Sequence, residues 1–138
     1  MVAKDAEHDD IRLWLLPNIQ EVTPTNQMFQ RDERFDLQKY AEKSFGVFQE
    51  PAQKVVLEFD KEVATDVHKF HFHATQEFEN LKNGKIRVTF FAGGVREICW
   101  HLFTWGRYVN IVSPTELRET YRTMCEDALK KQLGDNDE

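Results

Sequence analysis

The chain has 138 residues, of which 41% are apolar and 30% charged, so it suits one compact domain with a short appended element. Its 18 basic and 24 acidic side chains give a formal charge of −6, which argues against a general nucleic-acid coat protein. The sequence shows no signal peptide and no apolar run near the roughly 20 residues of a membrane span, so we expect a cytoplasmic protein.

The first fifty residues contain two predicted elements. Residues 1–10 are polar and predicted to be loose, whereas residues 11–16 form a short apolar run, ended by Pro17, that is typical of a strand. A strand cannot stand alone, and we find no partner for it in the neighbouring sequence. Asp36 is a predicted N-cap. The helix after it ends at Gly46 and carries these residues at helical spacing: Leu37, Tyr40, Ala41 and Ser44.

A strand, a helix and a hairpin are predicted from residue 55 onward. Alternating apolar residues indicate a strand over 55–59, and Asp60 is placed to cap the next helix. The apolar face of that helix is formed by Val63, Val67 and Phe70. Residues 75–81 and 85–91 are extended runs joined at Asn83-Gly84, which predicts a hairpin with a type I′ turn and positive φ at both positions.

Two further helices and a strand complete the chain. Gly93-Gly94 opens a helix with an apolar stripe formed by Val95, Ile98, Cys99, Leu102 and Phe103. Gly106 is its predicted C-cap, and residues 108–112 form a strand. The residues from Ser113 to Glu116 have the pattern of a capping box with Pro114 at the first helical position. The apolar side of the last helix consists of Leu117, Tyr121, Met124, Cys125 and Ala128.

This element order predicts an α+β fold. From residue 55 it reads βαββαβ, and right-handed crossovers fold such a string into a ferredoxin-like sandwich. An N-terminal strand and linker helix precede the sandwich, and a C-terminal helix follows it. Helices 63–70 and 95–103 are expected on one face of an antiparallel sheet. The other face must be covered by the last helix, by the helix after Asp36 or by a second subunit.

Five segments, taken in order, resemble the C-terminal part of WYL-domain bacterial transcriptional regulators. Residues 11–14 with Ile19 resemble the last strand of the WYL barrel, and residues 35–37, 40 and 44–48 resemble the link to its C-terminal extension, the WCX domain. In that extension, His73-Ala74-Thr75-Gln76 is similar to a His-Pro-Ser-Gln stretch. Residues 100–106 resemble a Trp-Leu-Leu-Ser-Trp-Gly helix end, and residues 112–118 resemble a closing Pro-x-x-Leu-Arg.

The resemblance implies that residues 1–50 are a WYL remnant with a linker helix and residues 51–138 a WCX domain. It also implies a role in effector sensing and self-association, with single-stranded nucleic acid as the effector in some members. No helix-turn-helix or Trp-Tyr-Leu motif occurs here, and Pro17-Asn18 replaces the family's Asp-Arg. Because no recognition helix is present, we expect no sequence-specific binding of duplex DNA, and we expect no binding to membranes. We expect a homodimer, because the lone strand and the uncovered sheet face invite pairing with another copy. The alternatives are a pure protein-interaction (dimerisation) module and a small-molecule-binding domain.

Trp100 is the sharpest candidate for ligand contact. It lies about 200° around the helix from the centre of the apolar stripe, and Arg96 precedes it by one turn. Between Lys82 and Arg107 there are five basic residues and one acidic residue. Single-stranded nucleic acid stacks on exposed aromatic rings and pairs its phosphates with cations. The candidate contact residues are Arg96, Trp100, Arg107, Lys85 and Arg87. The alternative is that Trp100 packs against the last helix or another subunit.

Histidines and cysteines give no stronger candidate site. His71 and His73 share one side of an extended segment that can chelate a metal, but no Cys or carboxylate joins them at ligand spacing. His73 with Gln76 fits a hydrogen-bonded turn better. Cys99 and Cys125 fall on apolar helical faces, as reduced core thiols do. With no catalytic set and no phosphate-binding loop, we expect no enzyme activity, no metal and no other cofactor.

Overall fold

The computed structural model describes residues 1–30, 32–46 and 50–134, which group into two units, Met1–Ala41 and Glu42–Glu138. In the first unit, β1 (Val2–Asp5) pairs antiparallel with β2 (Asp10–Leu13). The predictions that residues 1–10 are loose and that the strand lacks a neighbouring partner are therefore wrong. Polar contacts close this hairpin, since the Asp5 carboxylate is 2.9 Å from both Arg12 Nη1 and His8 Nδ1.

The linker helix is shorter than predicted. Asp36 is confirmed as its cap, because Asp36 Oδ1 accepts hydrogen bonds from the amides of Gln38 (3.0 Å) and Lys39 (3.1 Å). Helix α1 (Leu37–Ala41) then ends five residues before Gly46. Within the same unit, the Tyr40 hydroxyl donates to the Ile11 carbonyl at 3.0 Å. The linker helix is thereby held against β2.

The second unit contains the predicted four-stranded antiparallel sheet. Its strands are β3 (Gln53–Phe59), β4 (Glu77–Asn80), β5 (Ile86–Ala92) and β6 (Val109–Ser113), in the spatial order β4-β5-β3-β6. Each neighbouring pair is antiparallel. Helices α2 (Ala64–Lys69) and α3 (Val95–Leu102) provide the two crossovers. The ferredoxin-like α+β fold is thus confirmed.

The core lies between the sheet and the two crossover helices. Alternate residues of the central strands point to this side and are buried, because side chains in a strand alternate between its faces. From the strands come Val55, Leu57, Phe59, Ile86, Val88 and Phe90. From the helices come Val67, Ile98, Cys99 and Leu102. Burial of one large apolar side chain stabilises the fold by about 1.5–3 kcal/mol, so this core dominates the stability of the unit.

The β4–β5 hairpin is confirmed, but its turn type is not the predicted one. Positive φ occurs at Gly84 (80°) and not at Asn83. The Gly84 amide donates to the Leu81 carbonyl, and the Leu81 amide donates to the Lys85 carbonyl. These bonds enclose a three-residue loop with glycine in the left-handed position, rather than a two-residue type I′ turn. The glycine of Asn-Gly is therefore required here, whereas Asn83 adopts ordinary backbone angles.

Helix α4 (Thr115–Leu133) packs beside α3. Leu117 is buried in the core, and the Tyr121 hydroxyl donates to the Leu102 carbonyl at 3.5 Å. The predicted capping box is absent, because Pro114 is the N-cap residue, no side chain bonds there, and Ser113 belongs to β6. Within the described part of this unit, α4 therefore extends the helix layer and does not cover the opposite sheet face. On that open sheet face Phe91 is 51% and Val112 40% exposed.

Candidate functional site

Trp100 and Arg96 lie together on the outer side of α3. The inner side is buried through Ile98, Cys99 and Leu102, so residues half a turn away point outward. Trp100 is 50% exposed, and Arg96 is exposed one turn before it. The helical periodicity correctly predicted this placement away from the core.

A groove of about 480 Å³ runs between Trp100 and the neighbouring helix. Its α3 side consists of Arg96 and Trp100, and its α4 side of Glu119, Thr120, Thr123, Met124 and Asp127. We call this the α3–α4 groove. Its volume is in the range of small-molecule sites. One cation and two carboxylates face it, so its charge is net negative rather than positive.

The carboxylates of the α3–α4 groove were not identified from the sequence. Glu119, Thr123 and Asp127 are spaced by four residues, which places them on one stripe of α4. This spacing was visible in the sequence, but it did not show that the stripe faces Trp100. That neighbourhood depends on the way α4 packs beside α3.

Arg107 is not among the residues that line the α3–α4 groove, because the regular helix does not continue to it. After α3 the chain forms a tighter helix, Phe103–Tyr108, which is broken at Gly106 (φ 54°, ψ −129°). Glycine adopts this positive φ without strain. The Arg107 guanidinium lies 5.0 Å from the Tyr108 ring centroid, and its Nη2 donates to the Tyr108 hydroxyl at 3.3 Å. The hydrogen bond to Tyr108 raises the pKa of Arg107, with Glu62 and Asp60 adding attraction.

Lys85 and Arg87 are both engaged in ion pairs. Lys85 Nζ is 2.8 Å from Asp60, which raises the pKa of Lys85. Arg87 alternates with core-facing residues of β5 and so lies on the open sheet face, between Glu58 (2.7 Å) and Glu79 (2.9 Å). The hydrogen bond to Glu58 raises the pKa of Arg87. Of the five predicted contact residues, the structure thus brings together Arg96 and Trp100.

His73 and Gln76 form the expected hydrogen-bonded turn. Gln76 Oε1 accepts from the amides of Phe72 (2.6 Å) and His73 (3.1 Å), and His73 Nδ1 accepts from the Thr75 amide (3.2 Å). Burial lowers the pKa of His73, although backbone carbonyls, that of Ser44 foremost, oppose this shift. The histidine is therefore neutral and structural in this turn.

His101 of α3 packs among aromatic rings that we call the aromatic cluster: Phe70, Phe72 and Trp105. The Trp105 indole N–H donates to His101 Nε2 at 3.1 Å, and the Phe70 ring stacks on the imidazole at 4.7 Å between centroids. Burial lowers the pKa of His101. The ring must be neutral to accept the indole hydrogen bond, so both contacts favour the same protonation state.

Neither cysteine resembles a nucleophile in its surroundings. Cys99 is buried, its thiol donates to the Leu117 carbonyl at 3.8 Å, and burial raises its pKa to about 11. A thiol held in its protonated form is unreactive. Cys125 is half-buried on α4 and is also a free thiol.

The potential metal ligands that lie close together do not include His71 or His73. Within the described residues, Asp5, Glu7 and His8 form the one such group of three. Its buried member, Asp5, already accepts from Arg12, from His8 and from the Glu7 amide. These contacts occupy the carboxylate that a metal needs.

A second cavity, of about 790 Å³, lies in the first unit. Its wall is mainly apolar and includes Ile11, Phe29, Phe35 and Leu37, with Lys4 and Asp32 as its charged members. One of the lining side chains, Phe29, is 89% exposed, so little of the protein packs against its ring. This cavity is a second candidate ligand site among the described residues.

Comparisons with known proteins assign a family to the second unit. No helix among the described residues is long and apolar enough to cross a membrane. No curated protein matches the chain. The family profile described as the WCX domain matches residues 51–129, which is more than half of the chain and includes the whole sheet, α3 and most of α4. The chain therefore belongs to the WCX domain family.

Proposed function

We propose that this chain is the effector-sensing and self-association part of a WYL-type transcriptional regulator, and that the effector binds on Trp100 in the α3–α4 groove. The WCX match supports the class of protein. The observation that carries the site is the indole of Trp100, which is half exposed and lines this groove beside residues of α4. Effector binding between α3 and α4 can alter their packing, and a domain in the same regulator can respond to such a change.

Single-stranded nucleic acid is the effector class that the sequence favoured. For this class the indole of Trp100 would stack on a base and Arg96 would meet a phosphate. Lys85 and Arg87 already bind carboxylates, and Glu119 and Asp127 repel phosphates from the groove. Contact with a nucleic acid at this site therefore depends on the two residues of α3.

Trp100 provides its own reporter for testing the location of the site. The chain contains three tryptophans: Trp14 in the first unit, Trp100 in the groove and Trp105 in the aromatic cluster. Their indole N–H signals can be followed by NMR during titration with two probes of opposite charge. The anionic probe is a single-stranded thymidine oligonucleotide of roughly 15 nucleotides, within the site sizes of such proteins. The cationic probe is octamethylenediamine, a linear molecule with an ammonium group at each end.

The proposal predicts that the probe that binds moves the Trp100 signal first, and that Trp100→Ala weakens the binding. If the oligonucleotide binds, loss of the stack costs roughly 1–3 kcal/mol, which is about a 5- to 150-fold loss of affinity. Arg96→Gln then reduces the slope of log affinity against log salt concentration by about one unit, because one phosphate contact is lost. Binding that moves the Trp14 signal instead, or that survives Trp100→Ala unchanged, contradicts the proposed site.

A pure dimerisation module is the second candidate, and the open sheet face favours it. Phe91 and Val112 are exposed there next to the charged ladder of Glu58, Arg87 and Glu79. An apolar face of this kind is covered when two copies associate. Sedimentation equilibrium should show a dimer that Phe91→Lys dissociates, whereas wild-type protein that remains monomeric at high micromolar concentration excludes this role.

A further inference from the structure

We infer that the α3–α4 groove selects an organic cation bearing ammonium or guanidinium groups, rather than an anion. This inference builds on the proposed function, because it names the chemical class of the effector at the same site. The groove combines one aromatic face with two carboxylates, which is the chemistry of cation recognition.

The charges that face the α3–α4 groove have no ion-pair partners among residues 1–30, 32–46 and 50–134. Arg96, Glu119 and Asp127 all line the groove, yet no ion pair joins any of them to another described residue. The neighbouring Arg122 and Glu126 of α4, by contrast, are paired at 3.2 Å. Two unpaired carboxylates against one guanidinium leave one net negative charge for a ligand to neutralise.

The aromatic surface and the carboxylates can act on the same ligand. Cations are attracted to the face of an indole more strongly than to that of other aromatic side chains. Met124 adds a soft, polarisable contact beside Trp100, and the hydroxyls of Thr120 and Thr123 can accept hydrogen bonds from N–H donors. A hydrocarbon chain crossing the indole would therefore place its charged groups among acceptors.

The spacing of the carboxylates indicates the length of the ligand. Glu119 and Asp127 are eight residues apart on α4, so their backbone positions are separated by about 12 Å along the helix axis. A linear diamine of similar extended length can place one ammonium near each carboxylate. Octamethylenediamine meets this requirement, and its diol and dicarboxylate analogues provide neutral and anionic molecules of matched length.

Substitution of Arg96 distinguishes the cation from the nucleic-acid interpretation, because the two predict opposite changes in ligand affinity. Arg96 repels a bound cation, so Arg96→Gln should tighten the binding of octamethylenediamine, while the same change should weaken the binding of an oligonucleotide. Glu119→Gln and Asp127→Asn should act in the reverse direction in each case. These opposed signs distinguish a ligand-charge effect from a general loss of structure.

The experiment is calorimetric titration of the whole chain with the three probes at low ionic strength. The inference predicts that the diamine binds and that the diol and dicarboxylate do not. Trp100→Leu should lower the affinity for the diamine about 2- to 5-fold. Glu119→Gln and Asp127→Asn should each lower it by up to about 5-fold. Glu126→Gln is the matched control, because its carboxylate lies on the same helix but is paired with Arg122, and it should change nothing.

Three outcomes would overturn the inference. Failure of the diamine to bind at millimolar concentration excludes the cation site, as does diamine binding that none of the groove variants alters. Binding of the dicarboxylate or of an oligonucleotide that moves the Trp100 signal, weakened by Arg96→Gln, makes the groove an anion site. In that last case the proposed sensing role at Trp100 survives and the ligand class alone is wrong.

Discussion

In the second unit, a sheet and its helices enclose a core of aromatic and aliphatic side chains, whereas the buried residue of the first unit is a carboxylate, Asp5. Every buried hydrophobic side chain among the described residues lies between Val55 and Leu117. The first unit pairs two four-residue strands, and a two-stranded hairpin is marginally stable at best in water. The second unit (the WCX unit) therefore has a hydrophobic core that can stabilise it, whereas the first unit (the hairpin unit) is held together by polar contacts.

This difference also separates the two candidate ligand sites. The α3–α4 groove is formed by helices that are fixed to the core through residues such as Leu102 and Leu117. The cavity of the first unit is bounded by Phe29, which is 89% exposed, and by a helix of five residues. Side chains that are held in place before the ligand arrives lower the cost of binding, which favours the groove as the proposed effector site.

The largest expected effect is a core truncation in the WCX unit. Phe90 is fully buried between the sheet and the helices, so Phe90→Ala should lower the free energy of unfolding by about 3–5 kcal/mol. Phe29→Ala in the first unit should change it by no more than about 0.5 kcal/mol. Urea unfolding followed by circular dichroism measures both. Equal effects of the two substitutions would contradict the assignment of the core to one unit.

A smaller effect is expected at the N-terminus of α3. Glu50 Oε2 accepts from the amides of Gly94 and Val95, both at 2.9 Å, and so satisfies two donors of the first helical turn. Glu50→Ala should lower the free energy of unfolding by about 1 kcal/mol, as the loss of a helix cap does. Glu77→Ala on the exposed edge strand β4 is the control, and a stability loss as large as that of Glu50→Ala would argue against the cap.

The aromatic cluster should make the WCX unit sensitive to acid. Burial lowers the pKa of His101 below its ordinary value of 6.5, so the unfolded chain takes up the proton first as the pH falls. The stability contributed by neutral His101 is complete above pH 6.5 and is lost as the pH falls through the lowered pKa of the folded state. His73 acts in the same direction, because burial lowers its pKa too.

The measurement is the urea midpoint at about pH 8 and about pH 5, on either side of the ordinary histidine pKa. His101→Phe should reduce the difference between the two midpoints, and His101→Phe with His73→Asn should reduce it further. A difference that His101→Phe leaves unchanged would assign the acid sensitivity to other groups.

The smallest effect on global stability is expected in the hairpin unit. Asp5→Asn keeps the shape of the side chain but removes the charge that attracts Arg12 and His8. Hydrogen exchange at the amides of β1 and β2 should accelerate, while the melting temperature of the WCX unit should stay unchanged. A substantial fall in that temperature would show that the two units are stabilised together.

The sequence predicted most of the WCX unit because its apolar periodicity agrees with its fold. The alternation in β5 and the stripe in α3 each identify a buried face without knowledge of the partner element. Strand β1 was missed because Lys4 and Asp5 give it no such alternation, and its pairing is set by contacts with β2. The predicted turn type at Asn83-Gly84 was wrong, because the same dipeptide occurs in both two-residue and three-residue loops.

The candidate site was predictable to the extent that it depends on one helix. The outward positions of Trp100 and Arg96 follow from the periodicity of α3. The position of Arg107 does not, because Gly106 ends that periodicity. The positions of Glu119 and Asp127 near Trp100 could not be predicted, because they depend on the packing of two helices that are separate in sequence.

Hydrogen exchange of the whole chain with and without octamethylenediamine tests the central claim most directly, because it compares the two units in one measurement. The account predicts that added diamine slows exchange in peptides from α3 (Val95–Leu102) and α4 (Thr115–Leu133) and leaves residues 1–41 unchanged. Slower exchange in residues 1–41, with α3 and α4 unaffected, would place the ligand in the cavity of the first unit and contradict the account.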